Sequence, residues 1–129
     1  MNGPEALLEA VRGWAETATG RPAFIMQAVG RPPEPYVVIE PRWYSEPDVG
    51  AALAGEPTAQ TLAIHANSYG RRETDALWLD ERLYAVFVDE PRPSLAVEVL
   101  FLEGDSSPVL TFTRTGHILS KHTYRLTYR

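Results

Sequence analysis

Thr58-Ala-Gln-Thr-Leu-Ala-Ile-His-Ala-Asn-Ser-Tyr-Gly-Arg-Arg-Glu-Thr-Asp-Ala-Leu-Trp-Leu-Asp-Glu-Arg-Leu-Tyr-Ala-Val-Phe-Val88 is the stretch on which the reading of this chain turns. In its first part Leu62, Ile64 and Ala66 alternate with Thr61, Ala63, His65 and Asn67, the period of two expected of a strand with one buried face. Tyr69-Gly70 breaks the alternation. From Arg71 onward Ala76, Leu79, Leu83, Val86 and Phe87 recur at helical spacing, with Leu77 and Tyr84 on the flank of the stripe. Glu73 and Asp75 fall in the first turn, where carboxylates meet the positive end of the helix dipole; Arg71 and Arg72 sit there against that preference. A helical wheel puts Trp78 almost opposite the apolar stripe, beside Thr74, Glu81 and Arg82. A large apolar ring on the outer face marks a partner surface.

Working outward, Pro4 to Ala18 reads as a first amphipathic helix, with Leu7, Leu8, Val11, Trp14, Ala15 and Ala18 on a narrow apolar face that packs on a sheet. Proline near its start costs no hydrogen bond, Gly20 is placed to end it, and Pro22 prevents continuation. Trp14 reads as a core anchor. Ala23 to Val29 and Tyr36 to Glu40 read as strands, and the short link between them implies antiparallel neighbours. Pro41 confines the second to a sheet edge or ends it. Arg42 to Pro57 carries no period and reads as a long loop, either a surface excursion or a segment ordered by a neighbouring subunit. Beyond the central helix, Ser94 to Leu102, Val109 to Thr113 and Thr123 to Tyr128 alternate as strands between turn clusters. This order predicts an α+β fold, a mostly antiparallel sheet of about five or six strands with two amphipathic helices packed against it.

With 129 residues the chain forms a single domain. Its net charge of -5, and a single lysine at Lys121, argue against a surface that grips a phosphate backbone. The absence of cysteine excludes disulfides, thiolate metal sites and a cysteine nucleophile. No signal peptide or membrane-spanning run is legible, so the expectation is a soluble protein, cytosolic in its producing cell.

Chemistry is sparse. His65, His117 and His122 lack metal-ligand spacing, and the two C-terminal histidines have no evident carboxylate companion in sequence. His65 reads as a polar residue on the less buried face of the central strand. Ser68-Tyr-Gly only faintly echoes a nucleophile elbow, because the preceding glycine is missing. Asp75, Asp80 and Glu81 read as solvated or paired with Arg72 and Arg82 at neighbouring turns. No phosphate loop or dinucleotide fingerprint occurs, so neither catalytic residues nor a cofactor or metal are expected.

The alternating strand, the Ser-x-Gly turn and the following helix resemble the tail terminator (tail completion) proteins of long-tailed bacteriophages. The residues that carry the resemblance are Ser68, Gly70, Arg72, Glu73, Ala76, Trp78, Leu79, Arg82 and Leu83, preceded by the N-terminal helix, a strand and Pro35-Tyr36-Val37-Val38. Together they cover most of residues 4 to 88. The resemblance implies a structural virion protein and no enzyme, forming a homo-oligomeric ring, hexameric in that family, at the head-proximal end of the tail. Such a ring caps the tail tube protein, stops its polymerisation and presents a surface to the head-to-tail connector or stopper. DNA passes its bore without specific binding, which the acidic balance permits. The interface residues expected are Trp78, Arg71, Arg72 and Arg82, with Glu46 and Asp48 in the long loop. Two other readings stand beside it: another neck protein such as a stopper or connector, and a small α+β enzyme or ligand-binding domain with a cleft near His65.

Overall fold

The computed structural model describes residues 4–45, 60–89, 99–104, 107–114 and 116–128. The elements in chain order are α1 (Pro4–Thr19), β1 (Ala23–Ile25), β2 (Tyr36–Ser45), β3 (Gln60–Gly70), α2 (Glu73–Tyr84), a π-helical turn (Ala85–Asp89), β4 (Val99–Gly104), β5 (Val109–Phe112) and β6 (Ile118–Tyr128). The fold is α+β, with two helices packed on a mixed, mostly antiparallel sheet in the order β1-β2-β3-β6-β4. β5 pairs with the opening residues of β6 and β4 with its closing residues. The two short strands thus share one ribbon position, and the sheet is five ribbons wide.

Register assigns the faces. Val37 and Ile39 of β2, Leu62, Ile64 and Ala66 of β3, and Tyr124 and Leu126 of β6 all lie on the helix side and are buried. They form one core with Leu7, Leu8, Val11, Trp14 and Ala15 of α1 and Leu79 and Leu83 of α2. Trp14 packs on Phe87 at 4.8 Å between ring centroids, and Phe87 meets Tyr124 edge-on at 5.2 Å, so the turn after α2 closes the core from above. The helical stripe continues through that turn: Val86 and Phe87 stay buried although the α-helix itself ends at Tyr84. Gly20 ends α1 with φ +69° and donates its N–H to Glu16 at 2.8 Å, as its position in sequence implies.

Three expectations are corrected. β1 and β2 run parallel, with Ala23 opposite Val37 and Ile25 opposite Ile39, and β1 stops after three residues instead of reaching Val29. The reason is local. Met26 takes φ +71°, Gln27 N–H folds back onto the Ile25 carbonyl at 2.8 Å, and residues 26–35 carry the chain back to where it began. Arg21 fixes that return by donating to the carbonyls of Pro35 (2.8 Å) and Pro33 (2.9 Å). Second, β2 does not end near Glu40 but runs to Ser45 through Pro41, where the register slips by one residue before Trp43. The bulge accommodates the proline, and pairing with β1 has already ended at Ile39, so Pro41 does lie on a sheet edge among the described residues. Third, β6 begins at Ile118, not Thr123, because its inward-facing Ser120 and His122 are polar and hide the alternation. Of the expected loop Arg42–Pro57, residues Arg42 to Ser45 belong to β2 instead; the rest, with Glu46 and Asp48, and the start of the Ser94 strand lie outside the described residues.

Candidate functional site

The outer face of α2 is built as the wheel implies. Ala76, Leu79 and Leu83 are buried, whereas Trp78 is 49 % exposed and Thr74, Glu81 and Arg82 share its side of the helix in solvent. Gly70 sets the entry to the helix. A Cβ there would meet the Cβ of Asp75 at 2.9 Å and the backbone N of Ala76 at 3.0 Å, so the strand can pass this close to the first turn only without a side chain. Arg72 occupies the N-cap in an extended conformation without a side-chain cap hydrogen bond.

The three arginines expected at an interface each have a partner within the subunit. Arg72 Nε lies 3.5 Å from Asp75 Oδ2, as the spacing implies, and Arg71 Nε lies 3.4 Å from Glu34 Oε2. Arg82 Nε donates to the Ala18 carbonyl at 3.0 Å, joining the last turn of α2 to the end of α1.

Arg71, Arg72 and Asp75 also belong to an open cavity of about 1050 Å³, whose other lining residues include Arg31, Glu34, Tyr36 and His117. Glu34 accepts from His117 Nε2 in a close pair that joins the loop before β2 to the loop before β6. This corrects the expectation that His117 lacks a carboxylate companion. Tyr36 stacks on Tyr69 at 5.0 Å, and His117 meets both rings edge-on. Burial, with the nearby Glu34 charge, holds the Tyr36 hydroxyl above its ordinary ionisation range. Burial likewise raises Tyr69, helped by Tyr36 and Glu40. With three guanidinium groups beside two carboxylates, the cavity can take an anionic group. Its described lining holds no serine, cysteine or lysine to act as a nucleophile. His65 is not part of this lining; it lies half-buried on the sheet face away from the helices, in register with Glu40 and Thr123.

A second polar cluster is sealed in the core. Asp80, expected on the solvated side of α2, is buried at 6 % exposure and pairs with His122 through Nδ1 and Oδ1 at 2.8 Å. The His122 ring stacks on Tyr124 at 4.8 Å and lies 5.3 Å from Tyr84. Ser68 and Ser120 face each other across β3 and β6, fully buried, and neither hydroxyl is hydrogen-bonded among the described residues. Serine, histidine and aspartate thus occur near one another, but a nucleophile elbow needs an exposed hydroxyl, and Ser68 has no exposure. The Asp80–His122 pair in this cluster ties α2 to β6. Among the described residues no three histidine, aspartate or glutamate side chains come together as a metal site.

The sequence carried a signal for Asp80 that its charge obscured: it stands four residues after Ala76 and three before Leu83, inside the buried stripe. Pairing Glu34 with His117 needs contact between residues far apart in the chain, and nothing local announces it. No family model matches the chain, and no curated protein is significantly similar to it.

Proposed function

We propose that this chain is a ring-forming structural subunit of the tail terminator type, which caps a tail tube and joins it to a head connector without making or breaking a bond. The observation that carries the reading is Trp78: a half-exposed indole on the outer face of the helix that bears the family-like residues. Aromatic residues that pay no part in their own subunit's core are the typical anchors of protein interfaces. Support also comes from the local build of the resemblance, since Gly70 is required by close packing and Leu79 and Leu83 hold the helix on the sheet. The partners in this reading are further copies of the chain, the tube protein and the connector, and the site of action is the head-proximal end of the tail.

The test is Trp78→Ala. The variant should keep the melting temperature and circular dichroism of the parent while losing ring formation in sedimentation and the capacity to stop tube growth. Truncation of such an anchor costs about 2 kcal/mol or more of association. Rings of normal affinity from the variant would remove the interface role, and a loss of stability before any loss of assembly would place the indole in the subunit's own packing.

The cavity beside Glu34 and His117 favours a second reading, a ligand-binding domain for a small anion held by Arg31, Arg71 and Arg72. Calorimetric titration with small dicarboxylates and phosphate esters, repeated on Arg71→Ala, separates the two: binding lost in the variant supports the ligand, and no heat in the parent removes it.

A further inference from the structure

The two edges of the sheet are finished differently. At β1 the outward backbone is partly occupied: Ala23 N–H donates to Glu16 Oε2 at 3.2 Å, and the Ile25 carbonyl accepts from Gln27 N–H at 2.8 Å. A three-residue strand closed by a side chain and a turn is a poor template for another strand. The other edge is shared by β4 and β5, each paired with a different part of β6. β5 pairs with β6 on one side, and no described strand lies on its other side. All four of its residues are exposed, Val109 at 64 %, Leu110 at 37 % and Phe112 at 73 %. It contains no charge, proline or bulge, the devices that usually protect an edge.

We propose that β5 is a self-association edge, at which a second copy of this chain adds its own β5 antiparallel about a two-fold axis through Thr111. The register follows from the backbone. Thr113 N–H donates to His117 at 2.9 Å, toward β6, so by alternation Val109 and Thr111 also turn their backbone groups inward, and Leu110 and Phe112 turn theirs outward. An axis through Thr111 sets Leu110 opposite Phe112 of the second copy, twice, and each of these pairs exchanges two hydrogen bonds. Leu110 lies on the same sheet face as Ser120, the helix side, and Phe112 shares it, so each hydrogen-bonded pair is also an aliphatic–aromatic contact. The neighbouring registers are poorer: an axis through Leu110 sets Phe112 against Pro108, which has no N–H, and one through Phe112 sets Leu110 against Arg114. A self-complementary strand makes a closed, isologous pair. This contact does not rest on the ring reading, and it uses neither Trp78 nor the cavity.

The chain's lack of cysteine makes the test direct. In the proposed register Thr111 faces its own copy in a non-hydrogen-bonded pair, where Cα atoms stand about 4.5 Å apart, within disulfide reach. Val109 stands several residues from its own copy, beyond that reach. Under mild oxidation Thr111→Cys should therefore form a covalent dimer at least roughly tenfold faster than Val109→Cys. Phe112→Glu, at an exposed position, should keep the parent's circular dichroism and lose the two-fold pairing, sedimenting at about half the mass of the parent's assembly. A parent that is monomeric at every concentration, or equal cross-linking from the two cysteine variants, overturns the proposal. Rings that persist in Phe112→Glu while Thr111→Cys gives no cross-link sink the edge pairing alone. A Thr111→Cys dimer in a protein that never forms rings upholds the pairing and removes the ring.

Discussion

Asp80 on α2 and His122 on β6 meet at 2.8 Å in the core, with 9 % and 2 % of their side chains exposed. This hydrogen bond ties the second helix to the strand it covers, at a point where the surrounding contacts are aromatic rings. Removing one partner leaves the other buried without its mate, which costs more than the bond itself is worth. Asp80→Ala and His122→Ala are each expected to lower stability by about 1.5 to 3 kcal/mol. The double variant Asp80→Leu/His122→Leu should recover part of that loss, because neither side then holds an orphaned polar group. Denaturant unfolding of the three variants checks this. Additive losses in the double variant would show that the two residues act separately.

Leu79 and Leu83 have no exposure and lie one turn apart on the face of α2 that meets the sheet. Leu79→Ala and Leu83→Ala should each lower stability by about 2 to 5 kcal/mol, since the core around them is held by strands on one side and α1 on the other and cannot collapse into the space. Unchanged melting for both would mean that the helix is mis-phased against the sheet.

Period alone made most of this fold legible. The alternation of Leu62, Ile64 and Ala66, the helical stripe from Ala76 to Phe87 and the first helix all recur in the structure with the faces they imply. What period could not reveal was direction and polarity within the core. β1 and β2 are parallel because residues 26–35 carry the chain back alongside β1 before β2 starts, and left-handed residues such as Met26 and Gly30 leave no mark in a hydrophobicity pattern. Ser120, His122 and Asp80 are buried polar residues, so reading apolar residues as inside and charged ones as outside misplaces each of them. The candidate site followed the same division: the exposure of Trp78 was legible from the wheel, and the Glu34–His117 pair was not, because it is made by two loops distant in sequence.

Gly70 is the joint between β3 and α2. Gly70→Ala would place a Cβ 2.9 Å from the Asp75 Cβ and 3.0 Å from the Ala76 backbone N, so the first turn of α2 must move. Overpacking of this kind costs about 1 to 3 kcal/mol. The accompanying loss should appear in amide exchange as faster opening of the first turn of α2, with the strands of the sheet less affected. Uniform protection across α2 in the variant would show that the approach is looser than its distances imply.

Tyr124 is fully buried, and its hydroxyl has no hydrogen-bond partner among the described residues. Burial, reinforced by the charges of Asp80 and Tyr84, pushes its ionisation far above the ordinary tyrosine range. The sign of the consequence follows from linkage. In the unfolded chain the phenol ionises near pH 10, in the folded chain it stays protonated, and so the folded state binds one more proton above that pH. Tyr124 therefore contributes its full stability below about pH 10 and loses it as the pH rises, at about 1.4 kcal/mol per pH unit. Tyr36 and Tyr69 are shifted in the same direction and add to the decline. Tyr124→Phe removes the unpartnered hydroxyl and keeps the ring that packs on Phe87 and His122. At neutral pH the variant should be as stable as the parent or more stable, by up to about 1 kcal/mol. Between pH 10 and pH 12 its stability should fall more gently, by the slope of one proton, with the remaining decline coming from the other tyrosines. Urea unfolding at a series of alkaline pH values measures both quantities. Identical slopes in parent and variant would show that Tyr124 ionises in the folded state, and a loss of stability at neutral pH would show that its hydroxyl has a bonded partner after all.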